Sequence, residues 1–259
     1  MADKFAIVTG ASTGIGLELA KLAAADGYDL LLAADTPLAQ AEAELRSSGT
    51  QVQTLEVDLS TFDGVDKLLA AASGRRVDVL CANAGHGLGR GFLEEDPADW
   101  RHVIDTNIVG TVYLLQHVLR QMVQRNEGKI LVTGSIAGFL PGSFQAVYNG
   151  TKAFVDSFVD AIRNEVKEAD GVTITNLMPG ATETEFFKRA DMMDTAVGTA
   201  KKDPADDVAK TGWDALMSGK SDIVYGLKNK LQAAAAHVLP EAVTAGMHRN
   251  MAEPGTAKE

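Results

Sequence analysis

Several features that would define other classes of protein are scarce in this chain of 259 residues. It has one cysteine, Cys81, so an intramolecular disulfide is excluded. Cys81 lies in the apolar run VDVLCANAG, which predicts a buried thiol without a catalytic role. No stretch approaches the roughly eighteen apolar residues of a membrane span, and MADKFAIVTG is too short for a signal peptide. We therefore expect a cytoplasmic protein.

An excess of positive charge is also missing. The chain has 24 Lys and Arg against 35 Asp and Glu, a formal net charge of −11. Nucleic acids and anionic membrane surfaces are bound by basic faces, so we predict neither as a partner. The histidines show none of the paired spacings of a metal site, and we predict no bound metal. They are His86, His102, His117, His237 and His248.

Short apolar runs alternate with longer helical stretches along most of the chain. Runs of about six residues between helices are typical of a parallel sheet covered by helices on both faces. The sequence therefore predicts an α/β fold in which ligands bind beyond the carboxyl ends of the strands. The runs are residues 4–10, 28–35, 51–58, 78–85, 128–135, 171–180 and 222–226.

A glycine-rich turn, TGASTGIG at 9–16, follows the first run and opens a helix. Glycines permit a tight turn and let a pyrophosphate approach the helix N-terminus. The spacing is G-x-x-x-G-x-G, and no G-K-[ST] motif for a triphosphate is present, so a dinucleotide is the favoured ligand. A glycine turn without a ligand is the alternative.

Four motifs occur in order: TGASTGIG, NAG at 83–85, YNGTK at 148–152 and PG at 179–180. Together they resemble the short-chain dehydrogenase/reductase superfamily over residues 4–226. The resemblance implies a single Rossmann-like domain, 1–259, with a doubly wound sheet of about seven strands. Within it we expect a cofactor-binding and catalytic core (1–180), a substrate lid with the last strand (181–226) and a C-terminal extension (227–259) that closes a pocket or adds an interface.

The resemblance implies that the cofactor is a nicotinamide dinucleotide, and it also implies which residues contact it. Thr184 matches the family's threonine that contacts the nicotinamide carboxamide, and Thr182 is close enough to compete for that role. Instead of contacting the cofactor, Asp58 could be a strand-end or cap residue and Ile15 an ordinary core residue of the helix. The implied contacts are Gly10, Ser12, Thr13, Gly14, Ile15, Gly16, Asp35, Asp58, Leu59, Asn83, Ala84, Gly85, Tyr148, Lys152, Pro179, Gly180, Thr182 and Thr184.

The choice between NAD and NADP depends on Asp35, nineteen residues after Gly16. An acid near this spacing binds the adenosine ribose of NAD, and a carboxylate repels a 2′-phosphate. In the family pattern, however, Ala34 holds the usual acid position and Asp35 stands where an NADP-type arginine occurs. We predict NAD, with NADP possible and with a helix cap as the alternative role of Asp35.

The resemblance also implies a catalytic set of Asn107, Ser135, Tyr148 and Lys152. A free phenol has a pKa of about 10, and an ammonium one helical turn away lowers it, which would allow Tyr148 to act as general acid and base. Ser135 would stabilise negative charge on the substrate oxygen, and Asn107 would hold a water that links Lys152 to solvent.

The expected substrate is a hydrophobic secondary alcohol or ketone. Its expected contacts are Ser135, Leu140, Phe144, Phe186 and Phe187. The helix after Tyr148 carries one apolar stripe of Phe154, Phe158 and Ile162 and another of Val155, Val159 and Val166, which predicts a homodimer or homotetramer. The alternatives are a non-catalytic dinucleotide-sensing regulator, an NADPH-preferring carbonyl reductase, and an epimerase or dehydratase.

Overall fold

The computed structural model describes residues 4–46, 49–236 and 238–257, so His237 lies outside the described residues. Within these ranges seven parallel strands form one sheet in the order β3-β2-β1-β4-β5-β6-β7. The predicted doubly wound parallel sheet is confirmed, and each predicted apolar run contains one strand. The strands are β1 (Phe5–Thr9), β2 (Asp29–Ala34), β3 (Val52–Glu56), β4 (Val79–Ala82), β5 (Gly128–Thr133), β6 (Val172–Met178) and β7 (Asp222–Val224).

Side-chain caps mark the starts of two of the helices. The Thr61 hydroxyl accepts a hydrogen bond from the amide of Gly64 at 3.0 Å, and Asp96 caps the next helix just before Pro97. The helices are α1 (Gly14–Ala25), α2 (Ala39–Arg46), α3 (Phe62–Ala71), α4 (Pro97–Ile104), α5 (Thr111–Arg125), α6 (Ala146–Glu165), α7 (Phe186–Arg189), α8 (Ala196–Thr199), α9 (Ala205–Met217), α10 (Leu227–Ala236) and α11 (Glu241–Ala252). A π-helical segment, Asp105–Gly110, joins α4 to α5.

Apolar side chains cover both faces of the sheet. Successive residues of a strand point to opposite faces, so Ala6 and Val8 pack with side chains of α1 and α9. Phe5 and Ile7 pack with side chains of α3, α5 and α6 on the other face. Cys81 is fully buried in this core, and burial raises the pKa of its thiol to about 12. No helix in the described part of the chain is both long and apolar enough to cross a bilayer.

The strand order reverses between β1 and β4, which are neighbours in the sheet although two strands separate them along the chain. In open α/β sheets this reversal leaves a crevice at the carboxyl ends, because the loops after the two strands lead to opposite faces. The glycine turn follows β1 and the NAG loop follows β4. Both motifs therefore lie at the same edge of the sheet.

Candidate active site

A cavity of about 640 Å³ extends along the carboxyl ends of the strands. It brings together nearly all the site residues that were predicted from the sequence. Those that line it are Gly10, Ser12, Thr13, Gly14, Ile15, Asp35, Asp58, Leu59, Asn83, Ala84, Gly85, Ser135, Leu140, Tyr148, Lys152, Pro179, Gly180, Thr182, Thr184, Phe186 and Phe187. Gly16, Asn107 and Phe144 lie outside the lining.

The glycine turn has a backbone that other residues would not tolerate. Gly10 and Gly14 have φ of +63° and +58°, in the left-handed region. A Cβ on Gly16 would lie 2.1 Å from the carbonyl oxygen of Gly10, so the first turn of α1 packs directly against β1. Backbone amides at the start of α1 therefore border the cavity without side chains in the way. This shape fits a pyrophosphate.

Asn83 ties the ends of three strands together beside this turn. Its Nδ2 donates to the carbonyl of Thr9 at 3.2 Å, and its Oδ1 accepts from the hydroxyl of Thr133 at 3.0 Å. The Thr9 hydroxyl in turn accepts from the amides of Asn83 and Ala84, both at 3.0 Å. The loop after β4 is therefore held by Asn83 although Ala82 stands at the family's usual first asparagine.

Asp35 forms a contact that the sequence did not predict. Its carboxylate lies 2.8 Å from Nε2 of His86, and this hydrogen bond holds the pKa of Asp35 below its usual value, assisted by the charges of His86 and Arg189. Helix α2 begins at Ala39, so Asp35 is not its cap. The ring of His102 lies 4.7 Å from that of His86, and ligand-type atoms of the three side chains lie within 4.8 Å of one another. Spacing along the chain could not show this cluster.

The serine, tyrosine and lysine of the expected catalytic set meet in the cavity. Ser135 follows β5, while Tyr148 and Lys152 lie one turn apart on α6. The Nζ of Lys152 donates to the carbonyl of Thr133 at 2.7 Å and lies 5.9 Å from the centre of the Tyr148 ring. Each side chain is thus held by regular structure and points to the same space.

The pKa of Tyr148 differs in direction from the expectation. Burial raises it to about 12, and the Ser135 hydroxyl opposes this rise. Burial also lowers the pKa of Lys152 to about 8, against the charge of Asp156. Burial disfavours the charged form of both groups, so the chain by itself keeps the phenol protonated near neutrality.

Asn107 lies in the π-helical segment, behind the cavity wall. Its Oδ1 accepts from the amide of His86 at 2.8 Å, and its Nδ2 donates to the carbonyl of His86 and to the hydroxyl of Thr151, both at 2.9 Å. It therefore fastens the NAG loop to α6. The sequence did not reveal this π segment, because such a segment has no spacing signal of its own.

Aromatic rings line the cavity around Tyr148. The rings of Tyr148 and Phe186 lie 5.0 Å apart. Phe144 was expected here, but its ring lies 5.0 Å from the Arg249 guanidinium. It packs against the apolar cluster of Phe187, Ala190, Met192 and Ala252. Its φ of +62° turns the chain after Ser143, which carries the ring away from the cavity.

The cavity lining also includes residues that were not predicted from the sequence, among them Gln145, His248 and Met251. Gln145 precedes Tyr148 by three positions, so helical spacing could have placed it on the same face. His248 and Met251 belong to α11, which packs on α8, and no local pattern relates them to the catalytic helix.

Comparison with known proteins gives consistent results. The sequence profile of the family described as short chain dehydrogenase matches residues 4–218. An uncharacterized oxidoreductase of Staphylococcus saprophyticus is 32% identical, over 83% of this chain and 91% of its own. A short-chain dehydrogenase from Sphingobium yanoikuyae in complex with NADPH superimposes with a TM-score of 0.80 at 26% identity, covering 91% and 94% of the two chains. A short chain dehydrogenase/reductase from Burkholderia phymatum in complex with NAD has a TM-score of 0.82 at 24% identity, covering 91% and 93%.

Proposed function

Since the chain belongs to the short-chain dehydrogenase family, we propose that it transfers hydride between NAD(P) and a secondary alcohol or ketone, with Tyr148 as the general acid and base. The observation that carries the proposal is the meeting of Ser135, Tyr148 and Lys152 in the cavity that the glycine turn also lines. A bound nicotinamide dinucleotide would supply the hydride. The turn at residues 10–16 would hold its pyrophosphate.

The protein's own residues then act on the substrate oxygen. With its pKa at about 12, Tyr148 is protonated near neutrality and suited to donate its proton to the oxygen of a ketone. The Ser135 hydroxyl would donate a hydrogen bond to the same oxygen and stabilise its negative charge. For alcohol oxidation Tyr148 must lose its proton, which positive charge nearby favours. Lys152, held by Thr133, is the nearby cationic side chain.

Asp35 favours NAD, because its carboxylate lines the cavity and would repel a 2′-phosphate while accepting hydrogen bonds from ribose hydroxyls. One observation supports the second candidate, an NADPH-preferring reductase. Arg189 lines the same cavity and acts electrostatically on Asp35. A guanidinium is well suited to a phosphate.

The experiment that tests the proposal combines binding and turnover. Purified protein is titrated with NADH and NADPH by fluorescence, and a panel of ketones is then screened with the tighter cofactor. Tyr148→Phe should retain cofactor binding and lose turnover by at least about a hundredfold, as expected for a lost general acid. Tyr113→Phe, at a ring on α5 outside the cavity lining, is the matched control and should retain turnover.

The same data also test the alternative of a non-catalytic dinucleotide-sensing regulator. Binding of a dinucleotide with no turnover of any ketone or alcohol would support a dinucleotide-sensing protein. Binding of neither cofactor would contradict both the oxidoreductase and the regulator, and would support a glycine turn without a ligand.

We further propose a cytoplasmic homodimer or homotetramer that associates through α6. Val155, Val159 and Ile162 are buried in the sheet-facing layer, so Ile162 does not belong to the outer stripe predicted from the sequence. Phe154 is 42% exposed, and its ring stacks on Phe158 at 5.7 Å. Light scattering after chromatography should show an oligomer, and Phe154→Asp should shift it toward monomer.

A further inference from the structure

Two polar side chains stand out at the aromatic end of the cavity. Gln145 and His248 both line it, and each is only 6% exposed. They come from different parts of the chain, the start of α6 and the middle of α11. Both are connected to the same short loop, because Ser143 contacts His248 and lies two residues before Gln145. Polar groups this buried need hydrogen-bond partners.

The contact with Ser143 fixes the state of the His248 ring. Its Nδ1 lies 2.8 Å from the carbonyl oxygen of Ser143, and a carbonyl oxygen only accepts, so Nδ1 carries a proton. Burial lowers the pKa of His248 below its usual value, so the ring is neutral near pH 7. In a neutral imidazole with a protonated Nδ1, Nε2 is an acceptor. His248 therefore offers a lone pair that suits a hydrogen-bond donor.

Gln145 has an unmet hydrogen-bonding group at the same end. Its Nε2 is buried and has no hydrogen-bond partner among the described residues. A buried amide that is left unpaired is destabilising, so a ligand group that pairs with it is favoured. Rotation of the terminal amide exchanges its donor and acceptor, so Gln145 can match a hydroxyl in either role. It is the residue just before α6 begins and lies three positions ahead of Tyr148.

We propose that Gln145 and His248 form a polar subsite that binds a hydroxyl group of the substrate beside its reacting carbon. The inference rests on the proposed function, and it narrows the substrate to a hydroxy ketone or the corresponding diol. A second carbonyl or a carboxylate has no proton to donate to Nε2 of His248, whereas a hydroxyl both donates to it and accepts from Gln145. Phe186 and Met251 would contact the apolar remainder of the molecule.

The test uses two ketones of nearly equal size, α-hydroxyacetophenone and propiophenone, in which a methyl group replaces the hydroxyl. Sites built to bind a hydroxyl discriminate strongly against analogues without one. We expect kcat/KM for the hydroxy ketone to exceed that for propiophenone by at least about tenfold in the unaltered protein. Gln145→Met and His248→Phe should each reduce this ratio several-fold while leaving cofactor binding unchanged.

Ser143→Ala is the matched control. It removes the hydrogen bond from the Ser143 hydroxyl to the carbonyl of Ala245 at 3.1 Å, which loosens the same junction, but keeps both polar side chains. Its substrate ratio should equal that of the unaltered protein. Equal kcat/KM for the two ketones in the unaltered protein, or a ratio unchanged in both variants, overturns the subsite. Absence of turnover with any ketone overturns the proposed function itself, and the subsite with it.

Discussion

Asp156 allows a sharp test of how burial controls the ionisation of side chains on α6. It lies one turn after Lys152 on α6 and is only 8% exposed. Its Oδ1 accepts a hydrogen bond from Nδ2 of Asn176 at 2.9 Å. Burial raises the pKa of its carboxyl from 3.8 to about 6, although Asn176 and the charge of Lys152 oppose the rise. The folded protein therefore binds this proton more tightly than the unfolded chain does.

The free energy follows from linkage. Stability falls with rising pH wherever the folded state binds more protons, so the contribution of Asp156 is lost between about pH 4 and pH 6. At about 1.4 kcal/mol for each pH unit, the ionised carboxylate lowers the free energy of unfolding by ~3 kcal/mol at pH 7. An amide has nearly the same shape and no charge. We expect Asp156→Asn to raise the free energy of unfolding at pH 7 by about 1–3 kcal/mol, because relaxation around the charge reduces its cost.

Urea denaturation of both proteins at about pH 4.5, about pH 6 and about pH 7.5 measures the difference, which should grow from about 1 kcal/mol or less to its full value across this range. Asp160→Asn is the control, because Asp160 lies one turn further along α6 with its side chain 63% exposed and paired with Arg163. Its effect should stay under about 1 kcal/mol at every pH. A destabilised Asp156→Asn protein at pH 7, or a difference independent of pH, would refute the assignment of the raised pKa to burial.

Further predictions concern the turn, the core and the cofactor. Gly16→Ala should weaken dinucleotide binding at least about tenfold, because its Cβ would meet the Gly10 carbonyl at 2.1 Å; an unchanged Kd by fluorescence would contradict this. Leu31→Ala, at a fully buried strand position, should lower the free energy of unfolding by about 2–5 kcal/mol in urea denaturation, and a loss under about 1 kcal/mol would contradict the packing described. Asp35→Asn should shift the ratio of NADH to NADPH affinity toward NADPH by about tenfold, since it removes a carboxylate that would face the 2′-phosphate; an unchanged ratio would show that Asp35 does not read the ribose.

Much of the fold was predictable because each strand of a parallel sheet is a short apolar run with its own boundaries. The run at 28–35 is an example, since β2 occupies Asp29–Ala34 and all but its first residue are buried. Helix starts are less exact: Pro37 is typical of a first helical position, yet α2 begins at Ala39. The positions of Ser135, Tyr148 and Lys152 beside one cavity were likewise predictable, because strand ends and helical turns are local features that the order of motifs brings to one edge.

What the sequence could not show are contacts between side chains that lie far apart along the chain. Asp35 and His86 are 51 residues apart, and Gln145 and His248 are 103 apart, so no periodicity relates them. The pKa of Tyr148 could not be inferred from the sequence either, because it depends on how far the fold buries the ring. An adjacent ammonium favours phenolate, yet burial raises the pKa to about 12. Residue spacing identifies which groups can react, whereas enclosure by distant elements decides their protonation and what else can bind beside them.

The Asp35–His86 contact shows how such an enclosure acts on the proposed cofactor site. His86 is held by Asn107 through its backbone, and Asn107 in turn bonds to Thr151 on the catalytic helix. The carboxylate that would bind the adenosine ribose is therefore connected to α6 through His86, Asn107 and Thr151. Ribose hydroxyls that hydrogen-bond to Asp35 must share its carboxylate with the His86 ring or displace that ring. The charge that would repel NADPH is thus positioned partly by residues that also order the end of the cavity near α6.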